Sequence, residues 1–410
     1  RTIGMIPRID RNKDWRCPLV PELIDTLYNL PQRNTGVYIH WCEINCDPDS
    51  HPATLGDIIP YIPENVIRDA QVGDACIVFS TFQESTNPIG EYPIEHCHDF
   101  DLTLETFCEQ AQIPYSNVVW VSGDLRVQQR QKSKKIRSFG FTCYGHDILR
   151  HVHEMKDQWD LLPITQRSFD ANFICLQRYM KPGRIFWTWL LHSNQLLDSN
   201  FVSIADRIHG WGFLDKARAF IYILDQYGKH ISSKNITASE IKKIWHDLAD
   251  IGLNTPRILD VPDHNSNWCA GSDTTVSSLP WYNTSFASVI TETDIQSGGL
   301  FISEATFRSF VYQQPCIWIG QQGIVKQLNE WGFKTWDWLI SEDYDNEPYM
   351  IDRLHKCKDS LEDLINIPRT PELLERIHQQ NIYNWNHLQG EFKIGQQQRF
   401  MEMLNDIVNK

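Results

Sequence analysis

Residues 285–333 limit the fold of this chain more than any other stretch. An apolar run there ends in Thr291-Glu292-Thr293, and a helical segment follows that opens with Ser303 and Glu304. A second apolar run, CIWI, then leads through Gly-Gln-Gln-Gly into another helical segment. This alternation predicts a βαβα unit of a parallel sheet. In such sheets ligands bind beyond the carboxyl ends of the strands, which is where these polar residues fall.

The remaining sequence predicts a second unit of the same class. A chain of 410 residues exceeds the size at which one core keeps growing, so two domains are expected. Predicted strands at 37–41, 75–79 and 117–121 alternate with helices at 21–30 and 104–112, and a new strand opens at 172–176 after an irregular polar stretch. We therefore predict an α/β protein with domains at 1–165 and 166–368 and a helical tail at 369–410.

Composition narrows the classes of partner. The formal net charge is -14, which argues against a nucleic-acid binder because phosphate neutralisation needs a basic surface. The one basic run, at 126–137, lacks interleaved aromatic residues and is predicted to be a solvated loop.

Eleven cysteines, several within apolar runs, indicate a reducing compartment, and no signal peptide is visible at the amino terminus. No apolar run is long enough to span a bilayer, so the sequence predicts a cytoplasmic protein.

Three residues around the first predicted helix of the 285–333 stretch form a candidate anion site. Ser303 is a suitable N-cap, so the amides of the first helical turn would point beyond the strand ends. Glu304 and Arg308 are four residues apart and share one helix face. The alternative interpretation is an ordinary exposed ion pair beneath a helix cap.

A second group of candidates follows the strand at 172–176. Arg178 and Arg184 flank the turn in LQRYMKPGRIF, where they are either ligand-binding side chains or surface arginines beside a turn. Gly320 begins the Gly-x-x-Gly turn after CIWI, where a close strand-to-helix approach leaves little room for a side chain.

In this order the motifs resemble the donor half of fucosyltransferase-like and exostosin-like glycosyltransferases with the two-domain GT-B fold. The resemblance is closest to glycosyltransferase-like proteins of large marine bacteriophages. Their usual run is an acid-ended strand, Thr-Glu-Lys-Thr-Phe-Lys, a Pro-Phe strand and Gly-Phe. Glu304, Phe307 and Arg308 match that run, whereas Ala305 stands in place of the usual Lys. The resemblance covers roughly the second half of the chain.

The resemblance implies two Rossmann-like domains that face a cleft, with a helical tail packed on the domains. It implies an enzyme that moves a sugar from a nucleotide-sugar to a saccharide, lipid-linked or protein acceptor. Glu304 would bind the ribose, and Arg178, Arg184 and Arg308 would bind the phosphates. The full set of implied donor-binding residues is Arg178, Arg184, Thr291, Glu292, Ser303, Glu304, Arg308 and Gly320.

Glycosyl transfer also needs a base that deprotonates the acceptor. Glu84 and Asp124 follow predicted strands of the first domain and are the two candidates, and for each the alternative is an ordinary loop carboxylate. Asp-x-Asp pairs that could hold a metal occur three times, which is unremarkable in an acidic chain. Cationic side chains and helix dipoles can stabilise a leaving diphosphate, so we predict a reaction that needs no metal and no other cofactor.

Two functions therefore remain open. The first is an active glycosyltransferase, in the host cytoplasm if the chain is phage-encoded. The alternative is a catalytically degenerate GT-B-like binding or structural protein, such as a virion component. Ala305 keeps the alternative open, because the usual cation is missing there. A dinucleotide-dependent enzyme is disfavoured, since no Gly-x-Gly-x-x-Gly follows a predicted strand.

Overall fold

The computed structural model describes residues 9–11, 36–43, 62–81, 100–142, 144–154, 156–177, 180–204, 207–208, 211–254, 279–292, 294–295 and 298–409. These residues form an α/β protein with a five-stranded sheet, a four-stranded sheet and a two-stranded ribbon. The strands in chain order are β1 (Ile9–Arg11), β2 (Tyr38–Glu43), β3 (Ala75–Thr81), β4 (Val118–Ser122), β5 (Arg137–Gly140), β6 (Ala171–Gln177), β7 (Phe201–Ile204), β8 (Arg207–Ile208), β9 (Trp211–Gly212), β10 (Ser285–Thr291) and β11 (Cys316–Ile319).

The helices follow the same order along the chain. They are α1 (Glu64–Val72), α2 (Phe100–Ala111), α3 (Val127–Arg130), α4 (Tyr144–Glu154), α5 (Pro182–Ser193), α6 (Phe213–Ile231), α7 (Ala238–Leu253), α8 (Leu279–Asn283), α9 (Glu304–Tyr312), α10 (Ile324–Glu330), α11 (Met350–Asn366), α12 (Pro371–His387) and α13 (Lys393–Val408). A π-helical turn, Leu388–Phe392, connects α12 to α13.

The described residues divide into two compact units. Unit 1 takes those within 1–146, 299–301 and 393–410, and unit 2 takes those within 147–298 and 302–392. The boundary thus follows His146, whereas the sequence predicted it at 165. The predicted tail is also divided, because α12 belongs to unit 2 and α13 to unit 1. Each unit contains one parallel sheet, a layout compatible with two Rossmann-like domains.

The sheet of unit 1 has its strands in sequential order, β1-β2-β3-β4-β5, and every pair is parallel. Right-handed crossovers between strands in that order place the connecting helices on one face of the sheet. The core agrees, since α1 and α2 contribute to the same cluster as Ile77 and Phe79 of β3 and Trp120 of β4. The opposite face therefore needs another cover.

The last helix of the chain provides that cover. The apolar residues of α13 pack against the alternate residues of the same strands, including Trp41, Val78 and Val121. Arg137 at the start of β5 donates to the carbonyl oxygens of Asp406 at 3.0 Å and Ile407 at 2.8 Å. Arginine at this position satisfies carbonyls that the helix end leaves unpaired. The sheet order thus explains why α13 belongs to unit 1.

The sheet of unit 2 has the order β11-β10-β6-β7, again with parallel pairs. The chain passes from β6 to β7 on one side and then returns to place β10 on the other side of β6. The strand order therefore reverses between β6 and β10. In open parallel sheets such a switch point opens a crevice beyond the carboxyl ends of the two strands, and ligands bind there.

One sequence-based expectation changes at this level. The basic run at 126–137 is not a solvated loop, because it contains α3, leads into β5 and buries Val127 and Ile136. Sequence analysis missed this because eight polar residues, QQRQKSKK, separate the two buried apolar residues and leave no helical or strand period. The helix predicted at 21–30 lies outside the described residues. Among those described, no helix is both long and apolar enough to cross a membrane.

Candidate functional site

The switch point of unit 2 is bordered by Gln177 and Thr291. Ser288 lies opposite Ile174 in the parallel register, and three residues later the two strands end at Thr291 and Gln177. The Gln177 amide donates to the Thr188 hydroxyl at 3.2 Å. The Gln177 Oε1 and Thr291 Oγ1 atoms are buried and have no hydrogen-bond partner among the described residues. Buried polar atoms usually find partners, so the two indicate a place suited to a polar ligand.

Glu292 follows β10 directly and is completely buried. Its carboxylate accepts hydrogen bonds from the Ser303 backbone amide at 3.2 Å and from the Thr306 hydroxyl. Burial raises the pKa of Glu292, and the hydrogen bonds from Thr306 and Ser303 oppose that rise. The Glu292 amide donates to the Ile319 carbonyl at 2.8 Å. Glu292 therefore holds the end of β10, the end of β11 and the first turn of α9 together.

Helix α9 begins as the sequence predicted. The Ser303 hydroxyl accepts from the Ala305 amide at 3.1 Å and so caps the helix. Glu304 and Arg308 form an ion pair at 3.7 Å, with 33% and 22% of their side chains exposed. The pair predicted from the spacing thus exists, and it is half-buried rather than fully solvated. Coulomb attraction is stronger in that setting than at an open surface.

Arg184 connects α5 to the end of β10. Its guanidinium is buried and donates to the Thr291 carbonyl at 2.6 Å. Burial lowers the pKa of Arg184, while the carboxylates of Glu292 and Glu304 act against that change and Arg308 adds to it. The two arginines and two glutamates therefore lie within electrostatic reach of one another. We call Arg184, Glu292, Glu304 and Arg308 the charged cluster.

Gly320 shows why this part of the site needs a small residue. A Cβ atom at that position would lie 2.8 Å from the Ile324 side chain and 3.4 Å from Cγ of Glu292. A larger residue would therefore force the Ile324 side chain to shift at the start of α10, and it would touch Glu292. Seven of the predicted donor-binding residues come together here: Arg184, Thr291, Glu292, Ser303, Glu304, Arg308 and Gly320. Arg178 and Glu84 lie outside the described residues.

Asp124, the other candidate base, has surroundings that do not suit that role. It is 1% exposed and forms an ion pair with Arg130. The same carboxylate accepts from the Leu300 amide at 2.8 Å and the Arg126 amide at 2.9 Å. A base must reach the hydroxyl of the acceptor, and a buried, fully engaged carboxylate cannot. Asp124 instead anchors the segment Gly299–Phe301 to β4 within unit 1, a pairing between residues 175 or more apart that the sequence does not reveal.

Two residues near the site have roles that the sequence reasoning did not assign to them. Asp345 accepts from the amides of Gly323 at 3.1 Å, Val325 at 3.0 Å and Lys326 at 2.9 Å, and so caps α10. Burial raises the pKa of Asp345, and these three hydrogen bonds counteract the rise. Arg353 is buried on the apolar face of α11. The signal for Arg353 was its helical spacing from Met350 and Cys357, which places it on the face that turns inward.

The predicted absence of a metal remains a prediction. No group of three or more His, Cys, Asp or Glu side chains suited to a metal ion occurs in the part of the chain that the structure describes. The Asp345 carboxylate of the last Asp-x-Asp pair is occupied by backbone amides. The chain matches no protein-family profile, no curated protein and no solved structure.

Proposed function

We propose that unit 2 binds the nucleotide of a nucleotide-sugar, and that the protein is a GT-B-type glycosyltransferase acting without a metal ion. The observation that supports this most is the position of the charged cluster. It lies where the strand order reverses between β6 and β10, beyond the carboxyl ends of both strands. Parallel sheets of many enzymes bind nucleotides at such a point.

The groups of the cluster match the chemistry of a nucleotide-sugar. The donor presents an anionic diphosphate and a ribose with hydroxyl groups. Arg308 and the first-turn amides of α9 suit the phosphates, because a helix N-terminus and a guanidinium both favour anions. Glu304 supplies a carboxylate for the ribose hydroxyls. Helix α5 also begins beyond the end of β6, on the same edge of the sheet.

In the proposed complex, contacts to the ligand replace the Glu304–Arg308 ion pair. Its exposed fraction leaves both side chains accessible, so Arg308 can turn to a phosphate while Glu304 turns to the ribose. Each charge then exchanges one partner for another rather than being buried alone. With Ala305 in place of the usual Lys, Arg308 is the cation that α9 offers to the leaving diphosphate. Stabilising that leaving group is the main catalytic task of this half of the site.

The second candidate function is a degenerate binding protein. One observation favours it: the charged cluster contains two cations and two carboxylates, so it has no excess positive charge for a diphosphate. A module of this kind would bind a neutral or weakly charged saccharide in place of a nucleotide-sugar. Binding measurements separate the two functions, because the enzyme requires nucleotide affinity.

The test is calorimetric titration with UDP-, GDP-, ADP- and CMP-sugars, each with Mg²⁺ and with EDTA. We expect one nucleotide class to bind equally in both, and Arg308→Ala to weaken it about tenfold or more through loss of a charge-assisted hydrogen bond. Lys326 and Glu330 on α10 form an ion pair of the same spacing at 3.8 Å, so Lys326→Ala is the matched control. We expect that control to bind like the wild type.

Failure of every donor to bind the folded wild type would refute the nucleotide-binding proposal. Binding that requires Mg²⁺ would refute its metal independence. Binding of a donor without any transfer or hydrolysis of the sugar would favour the degenerate protein.

A further inference from the structure

Arg353 lies buried at the start of α11 and bonds three separate segments of unit 2. Its side chain is 2% exposed. The Nε atom donates to the Gly320 carbonyl at 2.9 Å, and Nη1 donates to the carbonyls of Glu347 at 2.6 Å and Pro348 at 3.2 Å. The Nη2 atom donates to the Ile295 carbonyl. The planar guanidinium has five N–H donors and can donate to several carbonyls at once. A lysine at this position, with three donors on a single nitrogen, cannot make the same set of hydrogen bonds.

Two of these carbonyls belong to the loops that border the candidate site. Ile295 lies three residues beyond Glu292, and Gly320 follows β11 directly. The same loops are joined a second time, because Gln321 donates to the Asp294 carboxylate at 2.5 Å. Arg353 and this bond therefore fix the loop after β10 to the loop after β11.

Each fixed loop contacts a member of the site. A Cβ atom built on Gly183 would lie 3.0 Å from the Ile295 side chain, so Ile295 packs closely on the residue before Arg184. Gly320 packs against the side chain of Glu292. One guanidinium thus supports Arg184 through Ile295 and Glu292 through Gly320.

We infer that Arg353 is a positioning residue that holds Arg184 and Glu292 in the arrangement required for ligand binding. As far as the inference concerns donor affinity, it rests on the proposed function. Arg353 does not touch the ligand in this role, and its effect is transmitted by the two loops. Loss of its hydrogen bonds would remove a partner from the buried carbonyls of Gly320 and Ile295 and would loosen both loops.

A matched control exists in the same unit. Arg167 is also buried, and it donates to the carbonyls of Leu162 at 2.7 Å, Tyr282 at 3.3 Å and Tyr312 at 2.9 Å. Tyr282 precedes the amino end of β10, away from the carboxyl edge where the candidate site lies. Arg167→Lys therefore damages a comparable buried arginine without touching the site loops.

The experiment compares Arg353→Lys with Arg167→Lys by hydrogen–deuterium exchange and by titration of the nucleotide-sugar that the wild type binds. We expect both variants to melt earlier than the wild type. Only Arg353→Lys should accelerate amide exchange at 183–186, 291–295 and 320–324, and only it should weaken donor binding, by about tenfold or more. Exchange needs no ligand, so it decides the positioning role even if no donor binds and the proposed function fails.

Ile295→Ala is the second variant if Arg353→Lys does not fold. It retains the carbonyl that Arg353 bonds and removes the packing on Gly183. Faster exchange at 183–186 in this variant supports the inference. Unchanged exchange at the site loops in folded Arg353→Lys or Ile295→Ala would overturn it, as would equal acceleration there in Arg167→Lys.

Discussion

At the scale of single residues, Gly298 and Gly299 have very different surroundings although they are neighbours. A Cβ atom at Gly299 would meet the Arg130 guanidinium and lie 2.7 Å from the Asp124 carboxylate. Nothing lies within 4 Å of a Cβ atom at Gly298. The buried ion pair of Asp124 and Arg130 therefore depends on the missing side chain at 299.

We expect Gly299→Ala to lower the free energy of unfolding by about 1–3 kcal/mol, because the new methyl group forces the ion pair apart. Gly298→Ala should change it by less than about 0.5 kcal/mol. Urea denaturation monitored by tryptophan fluorescence measures both. Equal effects of the two substitutions would show that the anchor of Gly299–Phe301 is not as tight as described.

A second residue-scale prediction concerns Glu342. Burial raises its pKa from 4.5 to about 7, although it accepts hydrogen bonds from the Thr335 hydroxyl at 2.7 Å and the Trp336 amide at 2.6 Å. The folded protein thus holds this proton more tightly than the unfolded chain. The free energy of unfolding must therefore fall as the pH rises from 4.5 to about 7, and it must level off at higher pH.

The wild type should lose unfolding free energy when the pH rises from 5 to 8. We expect Glu342→Gln to lose about 2–3 kcal/mol less than the wild type over the same interval. Glu292 and Asp345 have pKa values raised by burial as well, so some pH dependence should remain. Glu330→Gln, on an exposed side chain, is the control. Denaturation curves for Glu342→Gln that follow the wild type at both pH values would contradict the assignment.

At the scale of elements, α13 completes the core of unit 1. Sequential strand order leaves one sheet face without crossover helices, and α13 covers it. Its buried residues Phe400 and Leu404 lie among Trp41, Val78 and Val121. The contribution of α13 to stability should therefore come from its apolar face rather than from its helix propensity.

We expect Leu404→Ala to cost about 2–5 kcal/mol of unfolding free energy, as deletion of a buried leucine side chain leaves a cavity. Glu402→Ala, on the exposed face of the same helix, should cost less than about 0.5 kcal/mol. Thermal and urea denaturation of the two variants give the comparison. A small effect of Leu404→Ala would mean that α13 does not complete the core.

At the scale of the whole molecule, the two sheets differ in a way that bears on function. Unit 1 has the order β1-β2-β3-β4-β5 and no reversal among its described strands, whereas unit 2 reverses between β6 and β10. The switch-point rule therefore points to unit 2 alone. The resemblance to donor domains, which stays a prediction, concerns the same stretch of chain.

Local patterns predicted much of this architecture. Apolar runs indicated β3, β4, β6, β10 and β11, and the cap at Ser303 and the spacing of Glu304 and Arg308 predicted the start of α9. Strand order was not predictable, because pairing between distant segments leaves no trace in local periodicity. Arg353 was missed because a charged residue is expected at the surface unless its partners are known. For the same reason Asp124 was named as a candidate base, with an ordinary loop carboxylate as the alternative, and its burial was not predicted.

Hydrogen–deuterium exchange of the full chain with and without a nucleotide-sugar locates the donor site without any substitution. The proposed site predicts slower exchange at the carboxyl ends of β6 and β10 and in the first turns of α5 and α9 when donor is added. Peptides from β3 and β4 in unit 1 serve as the internal reference. Protection confined to unit 1, or no protection by any donor in the panel, would contradict nucleotide-sugar binding at the switch point.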